Sequence, residues 1–227
     1  MSCCAYWDEG GSCVETYEKH IERVLEKWKA MRPYYRKWVE GKFGIDAVEL
    51  AIKFHDLGKL AGAYGDRSQR RLYRHEVLGA YFAYRLLEGD LRYYVAAAVT
   101  LHHEPIIMGA YVGELGESRL NISTLWAMLR DVDLSLSCDY APADRPLKEA
   151  VALWRKGVDV SDVTAAFRDV LAFLSAGTAV ERRRKRLLVA GILHPLVVAD
   201  STAAMEGRRG RGTKIARAAK SGAEPGL

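Results

Sequence analysis

The sequence predicts an all-α protein built as a bundle of about seven or eight helices. Apolar residues recur every three or four positions through most of the 227 residues, which is the period of a helix with one buried face. No stretch alternates apolar and polar residues for long enough to predict a sheet. Apolar residues make up 49% of the chain, which is enough for the core of a single domain.

The first helix carries an apolar stripe that extends from Val14 to Met31. We expect it to stop near Pro33, because proline has no amide hydrogen with which to continue a helix. A second helix is predicted over about 45–57, and Gly58 is a natural C-terminal cap for it.

An arginine-rich loop, "GDRSQRRLYR" (65–74), leads to a third helix, which begins near His75 and ends at Gly89. The fourth helix covers about 91–103 and is ended by Pro105. The next segment is glycine-rich and irregular, and we expect a small hairpin or a flap there, at 106–121. Helical periodicity then resumes over 122–136, 145–156, 161–175 and 179–205.

The net charge of +5 is concentrated in the C-terminal tail, 207–227. This tail carries six lysines and arginines and one glutamate, so the preceding 206 residues sum to zero. It is rich in Gly, Ala and Arg and has no apolar face, which predicts a disordered basic arm. The arm either contacts phosphate groups or is merely solvated, and the folded domain is expected to cover 1–206.

Cysteine spacing and hydropathy give expectations about the cellular compartment. Cys3, Cys4, Cys13 and Cys138 show no C-x-x-C spacing, so we expect free thiols and no zinc site. The N-terminus lacks the basic start and apolar stretch of a signal peptide, and no run of about 18 apolar residues occurs. We therefore expect a cytoplasmic protein that does not span a membrane.

Seven polar side chains fall on apolar helix faces or at the ends of those helices. They are His20, His55, Asp56, His75, His102, His103 and Asp200. One inward histidine is usually an ordinary core residue, but this many unpaired buried groups would each cost several kcal/mol. No lysine or arginine on the same stripes is spaced to neutralise both aspartates. A metal centre satisfies all seven together.

The ligand types narrow the choice of metal. Imidazole and carboxylate suit first-row divalent ions such as Mn, Fe, Co, Ni or Zn, whereas a site for Mg alone would prefer oxygen ligands. Seven ligands are too many for one tetrahedral ion, so we expect two divalent ions bridged by Asp56, with Mn, Mg, Ni, Co and Fe as candidates. Two ions about 3.5–4 Å apart generate a hydroxide and stabilise the leaving oxygen in displacement at phosphorus.

The order of these residues resembles the HD superfamily of metal-dependent phosphohydrolases. More specifically, four motifs are similar to those of the HD nuclease of type I CRISPR systems: "HDLGK" (55–59), "RHE" (74–76), "LHH" (101–103) and "GILHPLVVADSTAA" (191–204). The chain has no G-x-x-x-x-G-K-[ST] motif for a helicase. It therefore looks like the stand-alone nuclease subunit found mainly in archaea, whose helicase is encoded separately.

The resemblance implies an HD-domain bundle and assigns the ligands. One ion is assigned to His20, His55, Asp56 and Asp200, and the other to Asp56, His75, His102 and His103. Asp56 and Lys59 are the catalytic candidates: Lys59 matches the family's lysine and would stabilise charge on the scissile phosphate. The alternative for Lys59 is an ordinary exposed lysine that follows a helix.

The last motif departs from the family pattern. His194 and Pro195 are inserted before it, and Pro195 is expected to start or kink the helix that carries Asp200. Asp131 and Asp133 are reserve candidates, whereas His194 is expected to be structural.

Adjacent histidines project about 100° apart on a helix. His102 and His103 can therefore both bind an ion only where the helix end frays, as Pro105 would favour. Otherwise one of them contacts phosphate or orients a ligand.

A nuclease also needs basic side chains to hold its substrate. Four arginines precede His75 in the arginine-rich loop, 65–74: Arg67, Arg70, Arg71 and Arg74. With Lys59, we expect them to contact the nucleic-acid backbone without regard to sequence. The run "ERRRKR" (181–186) surrounds a whole helix, so a solvated face or a partner-docking patch is favoured there.

Three functions stay open. The first is a divalent-metal nuclease acting in CRISPR interference, for which the resemblance implies single-stranded DNA as substrate and a helicase and an RNA-guided target complex as partners. The second is a phosphohydrolase of small nucleotides with the same metal site. The third is a non-catalytic subunit whose metal is structural, against which the complete ligand set and Lys59 argue.

Overall fold

The computed structural model describes residues 3–8, 10–70, 73–103, 126 and 129–207. Within these residues the chain forms eight α-helices, one 3₁₀ turn and one two-stranded hairpin, which confirms the predicted all-α bundle. The elements are β1 Cys4–Trp7, β2 Cys13–Thr16, α1 Tyr17–Phe43, α2 Ala47–His55, the 3₁₀ turn Leu57–Leu60, α3 Gly62–Gly65, α4 His75–Leu86, α5 Leu91–Leu101, α6 Arg145–Arg155, α7 Val160–Ser175 and α8 Ala179–Gly207.

The first helix is longer than the sequence predicts. α1 begins after Thr16, whose hydroxyl accepts a hydrogen bond from the amide of Lys19 at 3.4 Å, and it ends at Gly44 with φ 68°. It continues through Pro33, so the predicted stop there is wrong. The amide hydrogen that Pro33 lacks would have bonded the carbonyl of Lys29; both residues are exposed, so water can satisfy that carbonyl.

The last helix, α8, also contains a proline. It runs without interruption from Ala179 to Gly207, so Pro195 does not start the helix that carries Asp200. Among the described residues α8 is the one helix long and apolar enough to cross a membrane, but 61% of its most apolar window is buried inside the protein. It packs against α1, α2 and α5, as a core helix does.

α5 lies at the centre of the bundle, and every residue over 94–101 is buried. α2, α4 and α8 pack around it. α4 approaches α2 closely at Gly79, where a Cβ atom would lie 2.3 Å from the carbonyl oxygen of Phe54. The ends of these helices meet on one side of the core, which is where the predicted ligands lie.

Gly58 has a different role from the predicted one. α2 ends at His55 with Asp56 as its C-cap, and Gly58 lies within the 3₁₀ turn that follows. A Cβ atom at Gly58 would lie 2.1 Å from the carbonyl oxygen of His75, so a larger residue cannot fit unless backbone moves. The glycine therefore lets the turn after α2 contact the start of α4.

The N-terminal segment forms an antiparallel hairpin from β1 and β2, which the sequence does not predict. Each strand has four residues, too few for alternation to be evident. The hairpin or flap predicted at 106–121 lies outside the described residues, as does the tail predicted at 207–227 apart from Gly207, which ends α8.

The four cysteines form two disulfides, so the expectation of free thiols is wrong. Cys3 pairs with Cys138, and Cys4 pairs with Cys13. The first pair is separated by 135 residues, and only folding brings its two members together. This bond joins the N-terminal hairpin to the irregular segment before α6.

The helix predicted over 122–136 does not continue past Leu129 in the described residues. The chain is irregular over 131–144 because its backbone groups bond to another segment. The amide of Gly62 donates to the carbonyl of Ser135 at 2.9 Å, and the amide of Ser137 donates to that of Leu60 at 2.8 Å. The other predicted helices are present, with ends shifted by a few residues.

Candidate metal centre

The structure brings all seven predicted ligands together. His20 projects from α1, His55 and Asp56 from the end of α2, His75 from the first position of α4, His102 and His103 from the turn after α5, and Asp200 from α8. Their candidate ligand atoms form two groups, each with all atoms within 4.8 Å of one another. The groups are His20, His55, Asp56 and Asp200, and Asp56, His75, His102 and His103.

Asp56 belongs to both groups and is fully buried. Its Oδ2 lies 3.0 Å from Nε2 of His20, and its Oδ1 lies 3.0 Å from Nε2 of His75. His55 is on the Oδ2 side at 3.5 Å, and His102 is on the Oδ1 side at 3.7 Å. Each carboxylate oxygen therefore faces one group, which is the arrangement a bridging ligand needs.

Asp200 completes the first group despite the proline before it. Its Oδ1 lies 3.2 Å from Nε2 of His20 and 3.7 Å from Nε2 of His55. Because α8 continues through Pro195, Asp200 stays on the buried face of the helix.

The adjacent histidines are both in reach of Asp56. α5 ends at Leu101, and His102 is its C-cap, so the pair follows the regular helix. Nε2 of His103 lies 4.0 Å from Oδ1 of Asp56, and 38% of the His103 side chain is exposed. The second group is thus open to solvent at His103.

Two histidines are oriented by backbone carbonyls. Nδ1 of His55 lies 2.7 Å from the carbonyl oxygen of Ile52, and Nδ1 of His102 lies 2.6 Å from that of Val99. A carbonyl oxygen only accepts, so the proton of each neutral ring is on Nδ1. The lone pair on Nε2 then points into the centre, as a metal ligand requires.

Several atoms at the centre make no well-aligned hydrogen bond, even where a carboxylate oxygen lies close by. These buried atoms are Nε2 of His20, His55, His75 and His102, and Oδ1 of Asp56. Buried polar atoms without partners are unfavourable, and so many in one place are unusual for a core. Divalent ions would satisfy them together, so the residues present fit a metal centre.

Lys59 is buried beside Asp56 and is not the exposed lysine of the alternative interpretation. The residue is 6% exposed, and its Nζ lies 2.5 Å from Oδ2 of Asp56. Burial lowers the pKa of Lys59, but the charge of Asp56 raises it by more. Lys59 therefore brings a permanent positive charge to the centre.

The carboxylates are held in their ionised form. Burial raises the pKa of Asp56, but Lys59 and the nearby imidazoles outweigh it and leave this pKa well below its usual range. The pKa of Asp200 is likewise well below its usual range, since His20 and His55 outweigh burial. Although part of the side chain is exposed, desolvation of the His103 ring lowers its pKa, and the neighbouring imidazoles lower it further.

His20 has the opposite shift. Burial lowers its pKa, but contacts with three carboxylates, Asp200 foremost, raise it to about 10. Without an ion, a proton on His20 offsets part of the negative charge. Metal ligands must be deprotonated, so an ion would displace that proton.

The arginines of the arginine-rich loop, 65–74, differ in exposure and in the groups that they contact. Arg67 is exposed. The Arg70 guanidinium lies over the rings of Trp7 and Tyr64 and donates to the Tyr64 carbonyl at 2.7 Å. Arg74 binds Glu76, and Arg71 lies outside the described residues. Arg67 is therefore the described arginine of this loop that extends into solvent. Phosphate contacts by the four arginines stay predictions.

The reserve candidates lie apart from both ligand groups. Asp131 is exposed and pairs with Arg130 at 2.9 Å, and Asp133 accepts a hydrogen bond from the amide of Ser135. His194 contacts the hydroxyl of Tyr35 at 3.1 Å, which supports the predicted structural role.

Two residues of the basic run at the start of α8, 181–186, stabilise the fold through hydrogen bonds to backbone carbonyls. Arg182 donates to the carbonyl of Gly177 at 2.6 Å, and Lys185 donates to that of Phe173 at 2.6 Å. These bonds satisfy carbonyls at the end of α7. Arg183 and Arg184 are exposed, in agreement with a solvated or docking face.

Sequence reasoning missed two buried glutamates beside the centre, Glu15 and Glu76. Glu76 directly follows His75 within "RHE", so its position gave a signal. Glu15 lies on a strand that the periodicity does not reveal.

Comparison with known proteins agrees with this geometry. No protein-family model matches the chain. A CRISPR-associated endonuclease Cas3-HD of Thermoproteus tenax is 52% identical over 222 residues, covering 96% of both chains. The chain belongs to the Cas3-HD family of CRISPR-associated endonucleases. Cas3-HD endonucleases of Pyrococcus furiosus and Methanocaldococcus jannaschii are 27% and 26% identical over 241 and 226 residues.

Membership in the Cas3-HD family confirms the predicted resemblance and the enzyme class. The protein is a CRISPR-associated, metal-dependent HD nuclease, and its relatives are archaeal. The T. tenax Cas3-HD is of similar length, since the match covers 96% of each chain. The His/Asp groups are compatible with the divalent metal that such an HD nuclease needs.

Proposed function

We propose that this nuclease hydrolyses single-stranded DNA in CRISPR interference, using two divalent ions that share Asp56. The observation that carries the proposal is the position of Asp56, whose two oxygens face different sets of histidines. One ion would be held by His20, His55, Asp56 and Asp200, and the other by Asp56, His75, His102 and His103.

The donor set supports transition metals as the ions. Five imidazoles and two carboxylates suit Mn, Fe, Co or Ni better than a site built for Mg alone, although Mg stays a candidate. Two such ions, when bound, activate water and offset the charge that develops at phosphorus. The protein's part is to hold the ligands in place and to keep both aspartates ionised.

We propose that Lys59 acts in catalysis and that His103 marks the side where substrate binds. Lys59 brings a positive charge within 2.5 Å of Asp56, where it would stabilise charge on the scissile phosphate. His103 lies on the exposed side of the centre, so we propose that DNA enters there. Arg67 precedes His75 on the exposed loop and would contact the DNA backbone.

The biological context is proposed from the family. The names of the relatives associate them with CRISPR, and we propose a separately encoded helicase and an RNA-guided target complex as partners of this chain. The helicase would supply the single strand. We propose that the protein acts in the cytoplasm and that the basic tail, 207–227, would contact phosphate.

Metal-stripped protein should cut labelled single-stranded DNA only after a divalent ion is restored. We would add Mn, Mg, Ni, Co or Fe separately, measure cleavage, and determine how many ions bind by calorimetry. Wild type should bind two ions and cut, whereas Asp56→Ala should lose cleavage. Asp131→Ala, an exposed aspartate outside the centre, serves as the matched control and should stay active.

Other outcomes separate the alternatives. Hydrolysis of small nucleotides without cleavage of DNA would support the phosphohydrolase. Two bound ions with no hydrolysis of either substrate would contradict an autonomous nuclease. Loss of folding in Asp56→Ala, with no cleavage by wild type, would favour a structural metal.

A further inference from the structure

Two buried glutamates lie behind the metal centre, and neither belongs to the seven proposed ligands. Glu15 on β2 is 4% exposed and Glu76 on α4 is 2% exposed. Buried carboxylates are unfavourable unless they are paired. We propose that Glu15 and Glu76 are positioning residues that orient His20 and His75 for metal binding. This inference rests on the proposed two-metal centre.

Glu15 contacts an imidazole with one oxygen and an arginine with the other. Its Oε2 lies 3.5 Å from Nδ1 of His20, and its Oε1 is bound by Nη1 of Arg23. The end of α8 covers this pair, since a Cβ atom at Gly207 would lie 2.8 Å from Oε1 of Glu15. The carboxylate is therefore held against His20 from behind.

Glu76 makes the same two kinds of contact in a different part of the fold. Its Oε2 lies 3.6 Å from Nδ1 of His75, and its Oε1 accepts a hydrogen bond from Nε of Arg74 at 2.6 Å. Glu15 comes from a strand and Glu76 from a helix, so one local motif does not account for both. The repeated arrangement indicates a shared requirement.

The shared requirement is that each of these two imidazole rings carries its proton on Nδ1. A carboxylate only accepts hydrogen bonds, so it favours a proton on Nδ1 and leaves the lone pair on Nε2. Nε2 of His20 and Nε2 of His75 each lie 3.0 Å from Asp56, on opposite oxygens. The contacts of 3.5 and 3.6 Å are longer than a hydrogen bond, and we expect them to shorten when an ion withdraws charge from the ring.

The orienting groups are divided evenly between the two ligand groups. In the first, a carbonyl orients His55 and a glutamate orients His20. In the second, a carbonyl orients His102 and a glutamate orients His75. Each glutamate should therefore influence one ion more than the other.

Metal titration of the full-length protein tests this inference. We expect Glu15→Gln and Glu76→Gln each to weaken the binding of one Mn²⁺ by about 10- to 100-fold, as loss of such an orienting group does. The second Mn²⁺ should be affected less. Glu40→Gln is the control: Glu40 pairs with Arg32 and Arg36 on α1, away from the centre, so the variant also loses ion pairs with arginine but should keep wild-type affinity.

Repeating the titrations in a variant that lacks one metal ligand identifies which ion each glutamate affects. In Asp200→Ala, which lacks a ligand of the first group, Glu76→Gln should still weaken the remaining ion and Glu15→Gln should not. The absorption spectrum of the Co²⁺-loaded protein should change in both single variants, because it reports on the ligands around the ion.

Wild-type affinities and Co²⁺ spectra in both variants would overturn the positioning role and leave the metal centre intact. Failure of wild type to bind metal would overturn both proposals. Should a variant fail to fold, NMR of ¹⁵N-histidine in Zn²⁺-loaded wild type decides the question. The Nδ1 protons of His20 and His75 should resonate far downfield, as protons hydrogen-bonded to a carboxylate do, and ordinary shifts for both would refute the inference.

Discussion

Asp56 and Lys59 form a buried ion pair where the two ligand groups meet. Asp56 is 0% exposed, and Lys59 lies against one of its oxygens. Removing one member of a buried pair leaves the other charge without compensation, which is more harmful than removing both. The pair therefore contributes to the stability of the metal-free protein as well as to the centre.

We expect Asp56→Asn to lower the free energy of unfolding of the metal-free protein by about 3–5 kcal/mol, because Lys59 loses its nearest negative charge. Lys59→Met in the same chain should recover most of that loss. Urea unfolding of wild type, both single variants and the double variant gives the coupling as a double-mutant cycle. Strictly additive losses would show that the two side chains do not depend on each other.

At the scale of elements, the site depends on how closely the turn after α2 approaches α4. Gly58 makes that approach possible, because any Cβ atom there would overlap the backbone of His75. α1 and α8 contribute differently: each continues through a proline, and each carries a ligand on its buried face, His20 and Asp200. The continuity of α1 and α8, together with the close contact between the turn after α2 and α4, thus positions the ligands that these four helices carry.

Gly58→Ala should destabilise the protein by about 1–3 kcal/mol, since the added methyl group forces backbone apart. It should also weaken the ion held by His75 more than the ion held by Asp200. Thermal unfolding and Mn²⁺ titration measure the two effects.

Gly41→Ala is the control for that variant. Gly41 lies on the exposed face of α1 with nothing within 4 Å of a new Cβ atom, so alanine should stabilise the helix by about 0.5–1 kcal/mol. Equal destabilisation by both substitutions would count against the close contact as the cause.

At the scale of the whole molecule, two disulfides tie the N-terminal hairpin to the bundle. Cys3–Cys138 joins residues 135 positions apart, whereas Cys4–Cys13 spans 9. Disulfides are rare inside most cells, although intracellular proteins of hyperthermophilic archaea are an exception. The hairpin carries Glu15, so the longer disulfide also secures a residue that contacts His20.

Loss of the longer disulfide should cost more stability than loss of the shorter one. By chain entropy, Cys138→Ser should lower the free energy of unfolding by about 5 kcal/mol and Cys13→Ser by about 3 kcal/mol. Urea unfolding without reductant measures both. Titration of thiols in the unfolded, unreduced wild type provides the check: four reactive thiols would contradict the two bonds.

Much of the fold and of the site could be predicted because both rest on local patterns. Helical period follows from side chains three and four residues apart, and it revealed α4, α5 and the last three helices. His20, His55, Asp56, His75 and Asp200 were recognisable because a polar group on an apolar stripe needs a partner. Prolines misled the prediction at Pro33, since the cost of a lost hydrogen bond depends on solvent exposure.

The sequence by itself determined the helical class, the seven candidate ligands and the position of Lys59 in the "HDLGK" motif. Only the tertiary structure decided that the two oxygens of Asp56 face different groups, that Arg74 is bound to Glu76, and that Cys3 meets Cys138. The physical reason is the range of the interactions. Periodicity reports contacts within one turn of a helix, whereas these pairings depend on how distant segments pack.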